Sequence, residues 1–199
     1  MNNLDKLIKI TKDYGVYDIC RYILDNPKFE IWSGSHLPKQ HHYGKGGLVR
    51  HILEVVELSI MFNKYYGNPV NEKHLILAAM FHDSGKIYDY EPVTGTDYKD
   101  WIKTKHARQI RHLPKSAIIW SKAVTETGLY KEVEDEITHA ILSHHGIEGS
   151  PVAPDTKMAW FVHLADCMSA RIDDCDTFDY IKNNQRNEIH RNEYTKRKV

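Results

Sequence analysis

The chain has 199 residues, 41% of them hydrophobic, with 27 Lys plus Arg against 27 Asp plus Glu. That is enough for one well-filled core and marginal for two. A net charge near zero excludes a protein that grips polyanions through bulk charge, no apolar run approaches the roughly 20 residues that span a bilayer, and the start, MNNLDKLIKI, has no signal-peptide core.

In chain order, six or seven helices and no strand are expected. The first covers about 3–25, kinked or split at Gly15 and stopped by Asn26-Pro27. Residues 26–47, rich in Gly and Pro, read as an ordered loop. A helix over 48–66 ends at Gly67-Asn68-Pro69, and Asn71 caps another over 71–83. After a loop at 84–100, helices are expected over 101–112, over 114–127 with Pro114 at its first position, and over 131–145. A loop at 146–154 leads to a helix from 156 to about 174, capped by Asp155. The domain reading is one helical domain over 1–175 and a polar tail, 176–199, with no internal repeat.

Three cysteines, Cys20, Cys167 and Cys175, fit neither a disulfide framework nor a thiolate zinc site and point to a reducing, cytoplasmic setting. Thirteen histidines are the unusual feature. In helical phase, His51 shares a face with Val55, Leu58 and Phe62; His82 lies above Leu75 and Ala78, and Asp83 follows Ile76 and Ala79. Asp166 joins Ala159, Val162 and Ala170, while His144 and His145 extend Val133, Ile137 and Ile141. Taken singly, each is a satisfied core histidine or an internal cap. Four helices doing the same thing point to a shared cation, because buried carboxylates need compensation. Imidazole and carboxylate donors suit Mn, Fe, Co, Ni or Zn better than Ca.

The order His51, then His82-Asp83-Ser84-Gly85-Lys86, then Asp166 resembles the HD-domain superfamily of metal-dependent phosphohydrolases. HHYGKGGLVRH (41–51) and ILSHHGIEGSPVAPDTKMAWFVHLADCMSA (141–170) resemble the HD subgroup of YhaM-type 3′→5′ exoribonucleases, and the likeness covers about residues 28–175. It implies an all-α, HD-domain helical bundle and a site of one or two divalent transition-metal ions. The implied ligands are His51, His82, Asp83 and Asp166 for one ion. His112 and His144, or His145, would serve a second ion that Asp83 bridges. Lys86 is implied near the scissile phosphate. His145, or one of His41 and His42, is a candidate for proton transfer; His42 and Lys115 are candidate substrate contacts, with backbone capping by the 41–42 pair and a solvated Lys115 as the plain alternatives. Arg50 stands where a Glu is common and Ser169 where an acidic residue is frequent. Residues 1–27 are too short and too helical for the OB-fold module of those exonucleases.

The expected substrates are therefore nucleotides or short oligonucleotides rather than long nucleic acid, with no membrane partner and oligomerisation left open. Two other readings use the same residues: an HD-fold di-iron oxygenase, and a non-catalytic binding module stabilised by metal. His36, His74, His106, His139, His163 and His190 are assigned to surface or packing roles.

Overall fold

The computed structural model describes residues 1–183; the rest of the polar tail, including His190, lies outside the described residues. The first expected helix is divided into α1 (Asn3–Asp13) and α2 (Tyr17–Leu24) at Gly15, whose φ of +67° is a left-handed conformation that costs glycine little. α1 opens on a capping box: the Asn2 side chain accepts from the Asp5 N–H, and the Asp5 carboxylate accepts from the Asn2 N–H. There follow α3 (Pro27–Ile31), α4 (Gly47–Tyr65), α5 (Glu72–Phe81) and α6 (Lys86–Asp89). Next come strands β1 (Tyr90–Pro92) and β2 (Trp101–Lys103), then α7 (Lys105–Gln109), α8 (His112–Thr127), α9 (Glu134–Ser143), α10 (Gly146–Gly149) and α11 (Lys157–Asn183).

α5 is the axis of the bundle. Its residues 75–81, LILAAMF, have no exposed surface at all, and a helix that is apolar all round must be enclosed by others. α4, α8, α9 and α11 pack around it. Asn71 caps α5 as expected, accepting from the Lys73 N–H.

Several local expectations are corrected, and the short helices α3, α6 and α10 lie in stretches expected to be loops. The helix expected over 101–112 is strand β2, paired antiparallel with β1 (Tyr90 opposite Lys103, Pro92 opposite Trp101), followed by the short α7 that Thr104 caps. Tertiary contacts decide this: the Trp32 indole N–H donates to the Tyr90 carbonyl and its ring meets Trp101 edge-on. Pro114 is the third residue of α8, not the first; it is tolerated because first-turn N–H groups have no intrahelical acceptor. Thr156, not Asp155, caps α11, accepting from the Ala159 N–H.

One close approach locks the loop before α4 to its first turn. The Gly34 N–H donates to the His42 carbonyl at 2.9 Å, and a Cβ on Gly47 would lie 1.9 Å from that same oxygen. Gly47→Ala should therefore destabilise the fold by about 1–3 kcal/mol, the usual overpacking cost, read as a lower midpoint in denaturant. An unchanged midpoint would mean that the 34–42 loop does not hold this position.

Candidate metal centre

Five segments meet at the C-terminal end of α5. α4 brings His51 in its second turn, and α5 ends on His82, with Asp83 in the turn after it. The start of α8 brings His112, the residues after α9 bring His144 and His145, and α11 brings Asp166. His51, His82, Asp83 and His144 have no exposed surface. Their donor atoms fall into two groups that share Asp83: His51, His82, Asp83 and Asp166, and Asp83, His112, His144 and His145.

In the first group His51 Nε2 is 3.0 Å from Asp166 Oδ1, 3.1 Å from Asp83 Oδ2 and 3.3 Å from His82 Nε2. His82 Nε2 is 3.4 Å from Asp83 Oδ2. In the second group Asp83 Oδ1 faces His112 Nε2 at 3.5 Å and His144 Nε2 at 3.6 Å, and His145 Nε2 is 3.3 Å from His112 Nε2. Donors about 2.0–2.2 Å from one first-row ion lie about 3–3.5 Å from one another, so both groups have the spacing of ligand sets.

The orientation of the rings points the same way. His82 Nδ1 donates to the Ala79 carbonyl and His144 Nδ1 to the Ile141 carbonyl, both at 2.6 Å. His112 Nδ1 donates to Asp89 at 3.2 Å, and His51 Nδ1 donates to the Ser169 hydroxyl at 3.1 Å. A carbonyl or carboxylate has no hydrogen to give, so in His82, His144 and His112 these contacts place a proton on Nδ1 and turn Nε2 toward Asp83. Fixing a ring this way is how outer partners prepare histidine for a metal.

Both oxygens of Asp83 and the Nε2 of His144 are buried without a hydrogen-bond partner of sound geometry. Buried polar atoms in folded proteins are rarely left so, and a cation satisfies all three at once. The nearest charge to Asp83 is the Lys86 ammonium, 2.6 Å from Oδ2 and itself almost fully buried. Burial opposes ionisation of Asp83, but Lys86 and the facing imidazoles outweigh it and hold the carboxyl well below the usual range. Asp166 is likewise held low against burial by His51. Burial disfavours the Lys86 charge, yet Asp83 pushes its pKa up to about 12. The residues present fit a metal site on donor chemistry, spacing and ring orientation together.

The remaining sequence candidates are placed as follows. His42, expected as a substrate contact, is buried, with Nε2 2.8 Å from Glu54 Oε2 and Nδ1 3.1 Å from His41 Nδ1, so both ring nitrogens have protein partners. The half-buried His41 lies beside the cluster, within electrostatic reach of Lys86 and Asp166. Lys115 lies with its ammonium over the Tyr88 ring, 4.1 Å from the centroid. The His145 pKa is pushed down to about 2, by burial first and then by the neighbouring His144 and His112.

Sequence reasoning missed the outer residues. Asp89, buried after Lys86, holds both His112 and His106, so His106 has more than a packing role. Glu54 accepts from the Ser169 hydroxyl at 2.7 Å. Only His106, among these, carried a signal, as one more histidine near the motif. No described helix is long and apolar enough to cross a membrane.

The comparisons with known proteins agree with this geometry. The 3′-5′ exoribonuclease YhaM of Geobacillus is 26% identical over 178 residues, 88% of this chain and 53% of that protein. YhaM of Bacillus subtilis is 26% identical over 179 residues, 88% of this chain and 55% of its own length. The dihydroneopterin 2′,3′-cyclic phosphate phosphodiesterase of Methanocaldococcus jannaschii is 31% identical over 141 residues, 67% of this chain and 50% of that protein. The chain thus spans about half the length of the curated relatives it matches. No solved structure matches. The model of the HD domain matches residues 48–171, a stretch that holds His51, His82, Asp83, His112, His144, His145 and Asp166, and the chain belongs to the HD domain family.

Proposed function

We propose that this protein is a metal-dependent phosphohydrolase that cleaves phosphate esters of nucleotides or short oligonucleotides. The observation that carries the reading is Asp83: one buried carboxylate whose two oxygens face two separate donor groups. His51, His82, Asp83 and Asp166 would hold one divalent cation, and Asp83, His112 and His144, joined by His145, a second. Bound there, such ions polarise phosphoryl oxygens and supply a hydroxide-like nucleophile near neutral pH.

The chain's own residues do the rest. Asp89 and Ser169 hold His112 and His51 by their Nδ1 protons, so neither ring can turn its lone pair away. Lys86 places a permanent positive charge beside Asp83, suited to countering charge that builds on a phosphoryl group. His41 lies at the same end of the bundle and can accept a hydrogen bond from a substrate hydroxyl.

Short substrates are favoured for two reasons. The chain has no net charge, and Lys103, Lys105, Arg108, Arg111 and Lys115 are divided among β2, α7, the cap of α8 and α8 itself. A long strand needs a continuous basic groove with stacking aromatics, each stacked base contributing about 1–3 kcal/mol. The relatives, an exoribonuclease and a cyclic phosphate phosphodiesterase by name, support phosphodiester chemistry.

The test is to strip the protein with chelator and restore it with Mn²⁺, Fe²⁺, Co²⁺, Ni²⁺ or Zn²⁺. Cyclic nucleotides, a dinucleotide and a 20-mer are then compared at one salt concentration. Hydrolysis should require metal, and kcat/KM should be higher for the short substrates. Processive preference for the 20-mer would overturn the substrate reading, and no ester cleaved with any metal would overturn the activity.

A further inference from the structure

The Glu54 side chain stands one layer behind the metal centre, on the turn of α4 after His51. Its Oε2 accepts two hydrogen bonds, from the Ser169 hydroxyl at 2.7 Å and from His42 Nε2 at 2.8 Å. An ionised carboxylate has no proton to offer, so both partners must donate. The direction of every bond further along then follows. Ser169 gives its hydrogen to Glu54, so its lone pair must receive the proton on His51 Nδ1, 3.1 Å away. That turns His51 Nε2 toward Asp83 and Asp166.

On the other side, the buried His42 donates from Nε2 to Glu54, and a neutral ring so protonated has Nδ1 as its acceptor. His42 Nδ1 is then an acceptor, and the His41 Nδ1 that lies 3.1 Å from it must be the donor. A neutral His41 ring that donates from Nδ1 has Nε2 as its free nitrogen. Among the described residues, no protein group takes up that Nε2.

We propose that Glu54 is a positioning residue at a branch point, one carboxylate oxygen directing His51 toward the metal through Ser169 and His41 toward substrate through His42. Neighbouring charge keeps Glu54 ionised and in place. Arg50 approaches its other oxygen at 3.6 Å and pairs with Asp173, and Asp173 accepts the His42 backbone N–H. Burial opposes the Glu54 charge, but His42, Ser169 and Arg50 outweigh it and lower its pKa. The metal and substrate assignments of His51 and His41 rest on the reading above; the hydrogen-bond directions do not.

Three variants of the full chain separate the two branches, with Zn²⁺ as a diamagnetic probe. Metal affinity is read by calorimetry. The protonation site of each ring is read from imidazole ¹⁵N shifts at one pH in the Zn²⁺-loaded protein, His41 being assigned by its loss in His41→Asn. Glu54→Gln keeps the shape and should weaken Zn²⁺ binding by about 10–100-fold, the usual effect of losing an outer partner, and should also mix the His41 tautomers. Ser169→Ala should weaken Zn²⁺ binding and leave the His41 signal unchanged. His42→Phe should mix the His41 tautomers and leave Zn²⁺ affinity within about twofold, a difference too small to mark a lost outer partner. The thermal midpoint of each metal-free variant shows whether it is folded, and any unfolded variant is replaced by Glu54→Asp, which keeps the charge but shortens the reach. Glu54→Gln with both readings unchanged, or with only one changed, would overturn the branch point. Neither reading uses substrate, so failure here is distinct from failure of the hydrolase assignment.

Discussion

Asp83→Ala should lose bound metal and hydrolytic activity together. Asp83 is the only residue common to both donor groups, and each of its oxygens faces a different one. Removing it takes one ligand from each site and the charge that compensates both cations. Several kcal/mol of transition-state stabilisation from the ions corresponds to a rate loss on the order of 10³-fold or more. The variant should also lose its response to metal in thermal unfolding. For the unsubstituted protein, metal at about 100 times Kd adds about 2.7 kcal/mol, a rise of roughly 5–10 °C for a chain of this size. The substitution also strands the buried Lys86 ammonium, so the metal-free variant is less stable than its parent, and breaking a buried pair costs about 3–5 kcal/mol. Asp83→Asn retains the shape and separates the two effects. If it kept metal-dependent activity, Asp83 would not be the bridge.

Lys86→Met is expected to behave in the opposite way: metal retained, turnover reduced. The side chain lies 2.6 Å from Asp83 and is not a possible ligand in its charged form. Its removal takes a positive charge away from a place where cations are to bind, so metal affinity should hold or rise. The loss should fall on kcat, by about 10²–10³-fold, as when one preorganised charge or donor is removed from an active site. Burst or single-turnover kinetics with a dinucleotide, beside a Zn²⁺ titration, measure both quantities. Unchanged turnover would confine Lys86 to a structural pairing with Asp83.

What could be read from the sequence depended on how far apart the interacting residues stand. His51, His82 and Asp166 were legible because each shares a helical face with apolar neighbours a few residues away, and Asp83 follows directly on His82. The burial of His42 was illegible because its histidine pair gave no hint of which ring faces inward; that depends on Glu54, twelve residues on, and on the tight approach of Gly47. Ser169 and Asp89 were illegible for the same reason. A serine 118 residues from His51 and an aspartate 23 residues before His112 declare nothing until the bundle closes. The β1–β2 hairpin was hidden because its stability comes from Trp32 and Trp101 meeting across the chain rather than from strand alternation. Short-range periodicity therefore picked out the residues of the inner donor cluster, and the outer layer that orients them is a product of tertiary contact.

The most direct test is anomalous diffraction from a crystal of the full chain soaked in Mn²⁺. Two peaks about 3.5–4 Å apart, the spacing of dinuclear hydrolases, should flank the Asp83 carboxylate. One should lie within about 2.0–2.3 Å of His51, His82 and Asp166 donor atoms, and the other equally close to His112 and His144. Peaks that all lie away from Asp83, or none at metal concentrations that support hydrolysis, would contradict the account.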